Sequence, residues 1–110
     1  MATIKNCTDI EQSRKLAEIL PLESADMCYD GYALDNNGNH PVRLHKPDGE
    51  YDIPCWSLAA LFAILPDYTL QTNTDGAVFV VCESKKPMIS DAYDNPVDAC
   101  YEMILRLNEL

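Results

Sequence analysis

Three stretches of the chain place their apolar residues at helical spacing. The first covers residues 8–20, where Thr8 and Glu11 form the S/T-x-x-E capping box and Pro21 predicts the end of the helix. The apolar residues of this stretch fall on one face, which predicts a helix that packs on one side: Ile10, Leu16, Ala17 and Leu20.

The second predicted helix lies in the segment DIPCWSLAALFAILP, residues 52–66. Pro54 suits its first turn, after a cap at Asp52 or Ile53, and the second proline predicts its end. Between the tryptophan and that proline only Ser57 is polar. A helix that is apolar all round predicts burial on more than one side, between the sheet and another helix or a second subunit.

The third predicted helix lies in YDNPVDACYEMILRLNEL, residues 93–110, and has the most complete start signal. Asn95 is its cap, Pro96 its first residue and Asp98 its third, where a carboxylate complements the helix dipole. Its inward stripe is predicted to be Val97, Cys100, Met103, Ile104 and Leu107.

Strand-like patterns lie between the first and second helices. In residues 25–30 the pattern AxMxY alternates with polar positions or cysteine, which is typical of a half-buried strand. NNGN (36–39) and KPDG (46–49) predict turns, and a second strand lies between them around Val42 and Leu44. A short third strand is predicted at 51–53.

A second set of strands is predicted between the second and third helices. Residues 68–72 alternate, and the turn TNTDG joins them to AVFVVC (77–82). Because this last segment is apolar on both faces, we expect it to be a central strand. A final short strand is predicted at 88–92.

These elements predict an α+β fold in a single domain, residues 1–110. Three helices pack on a small, mainly antiparallel sheet of about five to six strands, in the order α-βββ-α-βββ-α. Residues 16–33 and 61–78 share Leu, Ile-Leu-Pro and Asp-Gly at the same spacing. This indicates either a unit used twice or convergent turn chemistry.

Charge and cysteine usage narrow the classes of function. The net charge is −10, from 18 acidic and 8 basic residues, so direct binding to nucleic acid is not expected. The longest apolar run, residues 58–65, is too short to span a membrane, and the N-terminus lacks the apolar core of a signal peptide. Five cysteines without C-x-x-C spacing predict reduced thiols in a cytoplasmic protein.

Cys55 is the candidate nucleophile, because a helix N-terminus lowers the pKa of a thiol. PCWSLAAL is also similar to the Cys-Trp helix start of papain-like cysteine peptidases. However, those enzymes place their histidine well after the cysteine, and no histidine follows His45 here. We therefore expect Cys55 to be a buried packing residue in a protein that is not an enzyme. The alternative is a small cysteine-dependent hydrolase or transferase.

Neither a metal nor another cofactor is expected. His40 and His45 would lie on opposite faces of a strand, so they do not converge on one ion. Phosphate-binding glycine patterns are not present in the sequence.

Six tyrosines on an acidic chain are the best indication of function, because tyrosine combines an apolar ring with a polar tip and suits interfaces. The predicted interaction surface contains Tyr29, Tyr32, Tyr51, Asp26 and Asp30.

The segments RKLAEILPLESADM, IPCWSLAALFAILP and YDNPVDACYEMILRLNEL together give the chain a resemblance to a family of small uncharacterised proteins from gut anaerobic bacteria and their phages and mobile elements. The resemblance implies a cytoplasmic or phage-encoded accessory role and assigns no activity to any residue. We therefore predict a small acidic interaction protein that docks on a protein partner, or on a second copy of itself.

Overall fold

The computed structural model describes residues 5–83 and 87–109 and confirms the α+β class. Leu110, the last residue of the segment that carries the third predicted helix, lies outside the described residues. The single domain 1–110 stays a prediction. The elements are α1 (Ile10–Ala17), a 3₁₀ turn (Leu22–Ser24), β1 (Met27–Tyr29), β2 (Val42–Arg43), β3 (Ile53–Cys55), α2 (Leu58–Ile64), β4 (Tyr68–Thr72), β5 (Val78–Cys82), β6 (Met88–Ile89) and α3 (Pro96–Asn108). Their order is the predicted one.

The strands form two antiparallel sheets of three strands each, where the sequence predicted one sheet. Their orders are β2-β1-β3 and β4-β5-β6. Pro54 lies in the middle of β3 and has no N–H to donate, which suits the edge position that β3 occupies beside β1. The central strand of one sheet is β1, the first of its three strands along the chain, whereas that of the other sheet is β5, the second of its three. The two copies of the sequence repeat therefore do not share a topology.

Helix α1 begins one residue later than predicted. Asp9 is its cap and accepts a hydrogen bond from the Gln12 backbone N–H at 2.8 Å, while the Gln12 side chain accepts one from the Asp9 N–H at 3.1 Å. Thr8 is instead fully buried, and its hydroxyl accepts a bond from the Trp56 backbone N–H at 3.2 Å. Thr8, which the local sequence predicted as the cap, thus makes a contact with a distant segment instead.

Helix α2 begins four residues later than predicted, and the prediction that Cys55 lies in its first turn was wrong. Residues 53–55 pair with β1, with Met27 opposite Cys55 and Cys28 opposite Pro54. The cap of α2 is Ser57, whose hydroxyl accepts from the Ala60 N–H at 3.2 Å. Serine is a better cap than isoleucine, and it frees the residues before it to form a strand.

The apolar sequence of α2 predicted burial on more than one side, and the structure leaves one stripe of the helix exposed. Leu61 is fully buried, whereas Ala59 and Ala63 are exposed. The helix contacts α3, and its other apolar residues pack partly against the core: Leu58, Ala60, Phe62 and Ile64. The exposed stripe carries alanines, which cost little when they face water.

Most of the remaining elements follow their predictions. α3 starts at Pro96 after the Asn95 cap, and its predicted stripe is buried except for Leu107, which is half-buried. β5 is a central strand, and α3 packs against it. Gly38 and Gly76 adopt positive φ angles of 80° and 90° in the two predicted hairpin turns.

The first sheet departs from its predictions in two details. In β1 the fully buried residue is Cys28, while Met27 and Tyr29 are half-buried. The alternating pattern therefore predicted the wrong residues of β1 to be the more buried ones. The turn predicted at 46–49 is centred later, where the Asp52 N–H donates to the Gly49 carbonyl oxygen at 3.2 Å.

The core joins all three helices to the second sheet. Trp56 is fully buried within it, and its indole N–H donates to the Ser24 hydroxyl at 2.9 Å. Other members of the core are Leu16, Ala25, Leu61, Leu65, Val80, Cys82, Val97, Ala99, Cys100, Met103 and Ile104. Within residues 5–83 and 87–109, none of the helices has the length and apolar character needed to cross a membrane.

Candidate functional site

Two of the five residues predicted to form an interaction surface lie together and are exposed. The ring centroids of Tyr32 and Tyr51 are 4.2 Å apart, with the rings tilted by 54°. Tyr32 is 77% exposed, and Tyr51 is also exposed. The backbone of Gly31 lies against the Tyr51 carbonyl group, where no side chain would fit, and this close approach holds the two tyrosines side by side.

Asp26 and Tyr29 are used within the fold. The Asp26 carboxylate accepts hydrogen bonds from both the backbone N–H and the hydroxyl of Ser57, so it fixes the residue that caps α2. The Tyr29 hydroxyl donates to the Thr8 carbonyl oxygen at 2.8 Å and ties β1 to the N-terminal segment. Both side chains therefore already have hydrogen-bond partners within the protein.

Asp30 shapes the loop that carries Tyr32. Its carboxylate accepts from the backbone N–H groups of Tyr32 at 3.0 Å and Ala33 at 3.3 Å, and it lies 3.4 Å from the Arg43 guanidinium. These hydrogen bonds, that from Tyr32 first, lower the pKa of Asp30. Asp30 therefore orients Tyr32 by holding the backbone of the loop that carries it.

Three further apolar side chains are exposed in the same part of the chain, and two of them, Val42 and Leu44, belong to the predicted second strand. Leu44 is 85% exposed, and Leu34 and Val42 are also exposed. The edge strand β2 has only two residues, and both are exposed, so no apolar face is covered there. We call residues 31–51 the exposed apolar segment, which carries Tyr32, Leu34, Val42, Leu44 and Tyr51.

The charge around the exposed apolar segment is negative. Between residues 30 and 52 there are five carboxylates and two lysine or arginine side chains. One of the two, Arg43, is paired with Asp30. A partner that covers this segment therefore meets an apolar centre surrounded by uncompensated negative charge.

Cys55 lies at the end of β3 and is fully buried, as the sequence predicted for a packing residue. Its hydrogen bond to Cys7 and its burial raise the pKa of its thiol well above the usual range, which opposes a role as a nucleophile. The histidine nitrogens have other contacts: Nδ1 of His40 is 2.9 Å from the Ala33 carbonyl oxygen, and Nδ1 of His45 is 2.9 Å from that of Lys46.

Cys7 is the chemically distinctive residue that the sequence analysis missed. The hydrogen bond with Cys55 and the charge of Lys5 outweigh burial, so the pKa of Cys7 is lowered to about 6. No local motif marks this cysteine, because the largest influence on its pKa comes from Cys55 in β3, which is distant in the sequence. The sequence shows only that Cys7 is one of five cysteines without C-x-x-C spacing.

A shallow apolar groove lies where the ends of the three helices meet. Its volume is about 270 Å³, and its lining is apolar except for Asn108. It offers no group for catalysis or for specific recognition of a polar ligand. Among the described residues, no three His, Cys, Asp or Glu side chains are grouped so that they could hold a metal ion.

Comparison of the chain with protein-family models, with curated proteins and with solved structures gives no match. The resemblance to small proteins of gut anaerobes and their phages therefore stays a prediction. The exposed apolar segment and the thiols are the features of the protein that bear on its function.

Proposed function

We propose that this protein is a small non-enzymatic accessory protein that docks on a basic protein partner through its exposed apolar segment. One observation carries the proposal: five large apolar side chains are exposed within 21 consecutive residues, 31–51. Single exposed apolar residues are ordinary on protein surfaces, whereas a concentration of them is typical of an interaction site.

The fixed arrangement of side chains in the exposed apolar segment supports this role. The Tyr32 and Tyr51 rings are in contact, and Asp30 and Gly31 hold the loop that carries the first of them. Aromatic side chains that are already placed lose little conformational entropy on binding, and tyrosine is enriched among residues that dominate interface energy.

Charge favours a basic partner over a second copy of the chain. Two copies would each bring a net charge of −10, and like charges brought together across an interface oppose association. A basic partner is instead attracted by the negative charge of this protein, and the attraction also accelerates the encounter of the two proteins. Following the resemblance, we expect this partner in the bacterial cytoplasm, as a protein of the cell or of an infecting phage.

The experiment compares capture of bacterial proteins by immobilised wild-type protein, by the double variant Tyr32→Ala/Leu44→Ala and by the control Ile89→Ala. Ile89 is 59% exposed but lies on the second sheet, outside the segment. We expect a basic protein that is captured by wild type and control, and whose binding after purification is lost in the double variant and weakens with salt. Equal binding by all three proteins would contradict the proposal.

The oligomeric state is measured in parallel by light scattering. A monomer at micromolar concentration is expected. A dimer that the double variant alone converts to monomer would show that the segment binds a second copy, and would overturn the proposal of a basic partner.

A further inference from the structure

Cys7 and Cys55 are brought together by a long-range pairing of the N-terminal segment with the edge of β3. The Thr8 N–H donates to the Trp56 carbonyl oxygen at 3.0 Å, and Cys7 lies opposite Ser57 in an antiparallel bridge. Residues two apart along a strand point to the same face, so the side chain of Cys55 lies on the side that Cys7 occupies. The interaction between the two thiols is the largest single influence on the pKa of each.

Tyr29 completes the arrangement from the neighbouring strand. Tyr29 is opposite Ile53 in the register of β1 with β3, and therefore shares the face of Cys55. Its hydroxyl lies 3.9 Å from the Cys7 sulfur while it donates to Thr8. Cys28, the next residue along β1, points to the opposite face and is 4.0 Å from the His45 ring.

We propose that Cys7 and Cys55 form a reversible disulfide when a low-molecular-weight disulfide oxidises the protein, with Cys7 as the residue that reacts first. Two observations give this order. Cys7 retains 9% exposure, whereas Cys55 is fully buried. The groups around Cys7 also favour its thiolate, and those around Cys55 favour its thiol.

The reaction takes place in two exchange steps. The Cys7 thiol first loses its proton to solvent. The thiolate then attacks one sulfur of the small disulfide RSSR, which forms a mixed disulfide on Cys7 and releases RS⁻, and RS⁻ takes up a proton from solvent. This step consumes the Cys7 thiolate, which is the main cause of the raised pKa of Cys55. The Cys55 sulfur then attacks the Cys7 sulfur, its proton passes to the departing group, and RSH leaves. Overall, the protein loses two electrons and two protons, and RSSR is reduced to two molecules of RSH.

The bond would fasten the N-terminal segment to β3. Without it, backbone hydrogen bonds between residues 7–8 and 56–57 and the Tyr29 hydroxyl hold that segment. A crosslink between distant residues stabilises the folded chain mainly by restricting the unfolded one. The pair is therefore a modification site whose state changes stability at one edge of the first sheet.

The test uses oxidised glutathione on the full-length native protein at neutral pH, followed by alkylation in denaturant and peptide mapping. We expect a Cys7–Cys55 crosslinked peptide, a fall in free thiols from five to three, a raised Tm, and full reversal by dithiothreitol. Cys7→Ala should abolish the loss of thiols, whereas the control Cys100→Ala should retain the crosslink. The peptide map of the wild type decides the result even if a variant does not fold.

Several results would overturn the proposal. These are a mixed disulfide that persists on Cys7 while Cys55 stays reduced, a crosslink that involves Cys28, or a Cys7→Ala protein that still loses two thiols. A protein that keeps five free thiols after prolonged exposure to oxidised glutathione would overturn it as well.

Discussion

The backbone of Gly31 lies against the carbonyl oxygen of Tyr51 so closely that a Cβ atom at residue 31 would overlap it. This contact joins two loops that are 20 residues apart in sequence, and it brings the Tyr32 and Tyr51 rings into contact. Glycine is required at residue 31 because a side chain would not fit there. Its φ angle is not positive, so backbone conformation is not the reason.

Replacement of Gly31 by alanine should therefore destabilise the protein and separate the two tyrosines. Overpacking at such a contact costs about 1–3 kcal/mol of the free energy of unfolding. Urea denaturation measures this cost. Gly49→Ala is the matched control, since a Cβ there meets Asp52 only at 3.4 Å or more. Equal stability of the two variants would show that the Gly31 contact is not tight.

Asp26 should be needed for stability rather than only for binding. In Asp26→Ala the N–H and hydroxyl of Ser57 lose their acceptor, and unpaired, partly buried donors cost about 1–3 kcal/mol. The control Asp75→Ala removes one bond, to the Ala77 N–H in an exposed turn, and should cost much less. An Asp26→Ala protein as stable as wild type would contradict the role assigned to this carboxylate.

The stability of the protein should fall in acid partly because of Asp98. Burial opposes ionisation of Asp98, but hydrogen bonds from Lys5, Gln12 and Asn95 outweigh it and lower its pKa. The carboxylate therefore contributes stability that is present above the unfolded pKa of about 4 and is lost as the pH falls through the lower folded value.

Unfolding by urea between pH 6 and pH 3 tests this contribution. Asp98→Asn should be less stable than wild type near neutral pH, and the difference should shrink towards pH 3. Asp35→Asn serves as the control, because the Asp35 carboxylate is exposed and accepts from the backbone N–H groups of Asn37 and Asn39 in its own turn. A constant difference across the range would show that ionisation of Asp98 does not affect folding.

Native thiol labelling should be fast at Cys7 and slow elsewhere. Cys28, Cys55, Cys82 and Cys100 are fully buried, and burial raises the pKa of Cys100 to about 12, whereas that of Cys7 is lowered to about 6. Labelling at pH 7 with mass-spectrometric site assignment should give one fast site, and Cys7→Ala should remove it. Fast labelling of Cys55 in the native protein would revive a cysteine-dependent enzyme.

The two faces of α2 should respond differently to substitution. Leu61→Ala should cost about 2–5 kcal/mol because its side chain is fully buried. Ala59→Lys and Ala63→Lys should change the free energy of unfolding by less than about 0.5 kcal/mol, since both residues face water. Thermal or urea unfolding followed by Trp56 fluorescence measures all three. A large cost for both lysine variants would mean that the alanine face is covered.

Much of the fold could be predicted because its signals are local. The cap of α3 needs only Asn95, Pro96 and Asp98, and the hairpin turns need only glycines that adopt positive φ angles. The burial of β5 follows from a run of apolar residues on both faces. Each of these features depends on residues within a few positions of one another, so the sequence alone states the chemistry that produces them.

The start of α2 could not be predicted in the same way. Local pattern favours a helix from Pro54, but pairing of residues 53–55 with β1 extends them, and Ser57 then caps the helix with the support of Asp26. The contacts that decide between helix and strand come from β1, whose residues are 24 to 28 positions away from their partners in β3. Two of the five residues of the predicted interaction surface, Asp26 and Tyr29, likewise form hydrogen bonds with distant segments of the chain.

The sequence by itself determined the class of the fold, the order of its elements, the acidic charge and the burial of Cys55, because these follow from composition and short-range pattern. Only the tertiary structure decided that the strands form two sheets, that Tyr32 contacts Tyr51, and that Cys7 lies beside Cys55. Those relationships join residues that are distant in the chain, and the free energy that stabilises them comes from pairing and packing that no local pattern records.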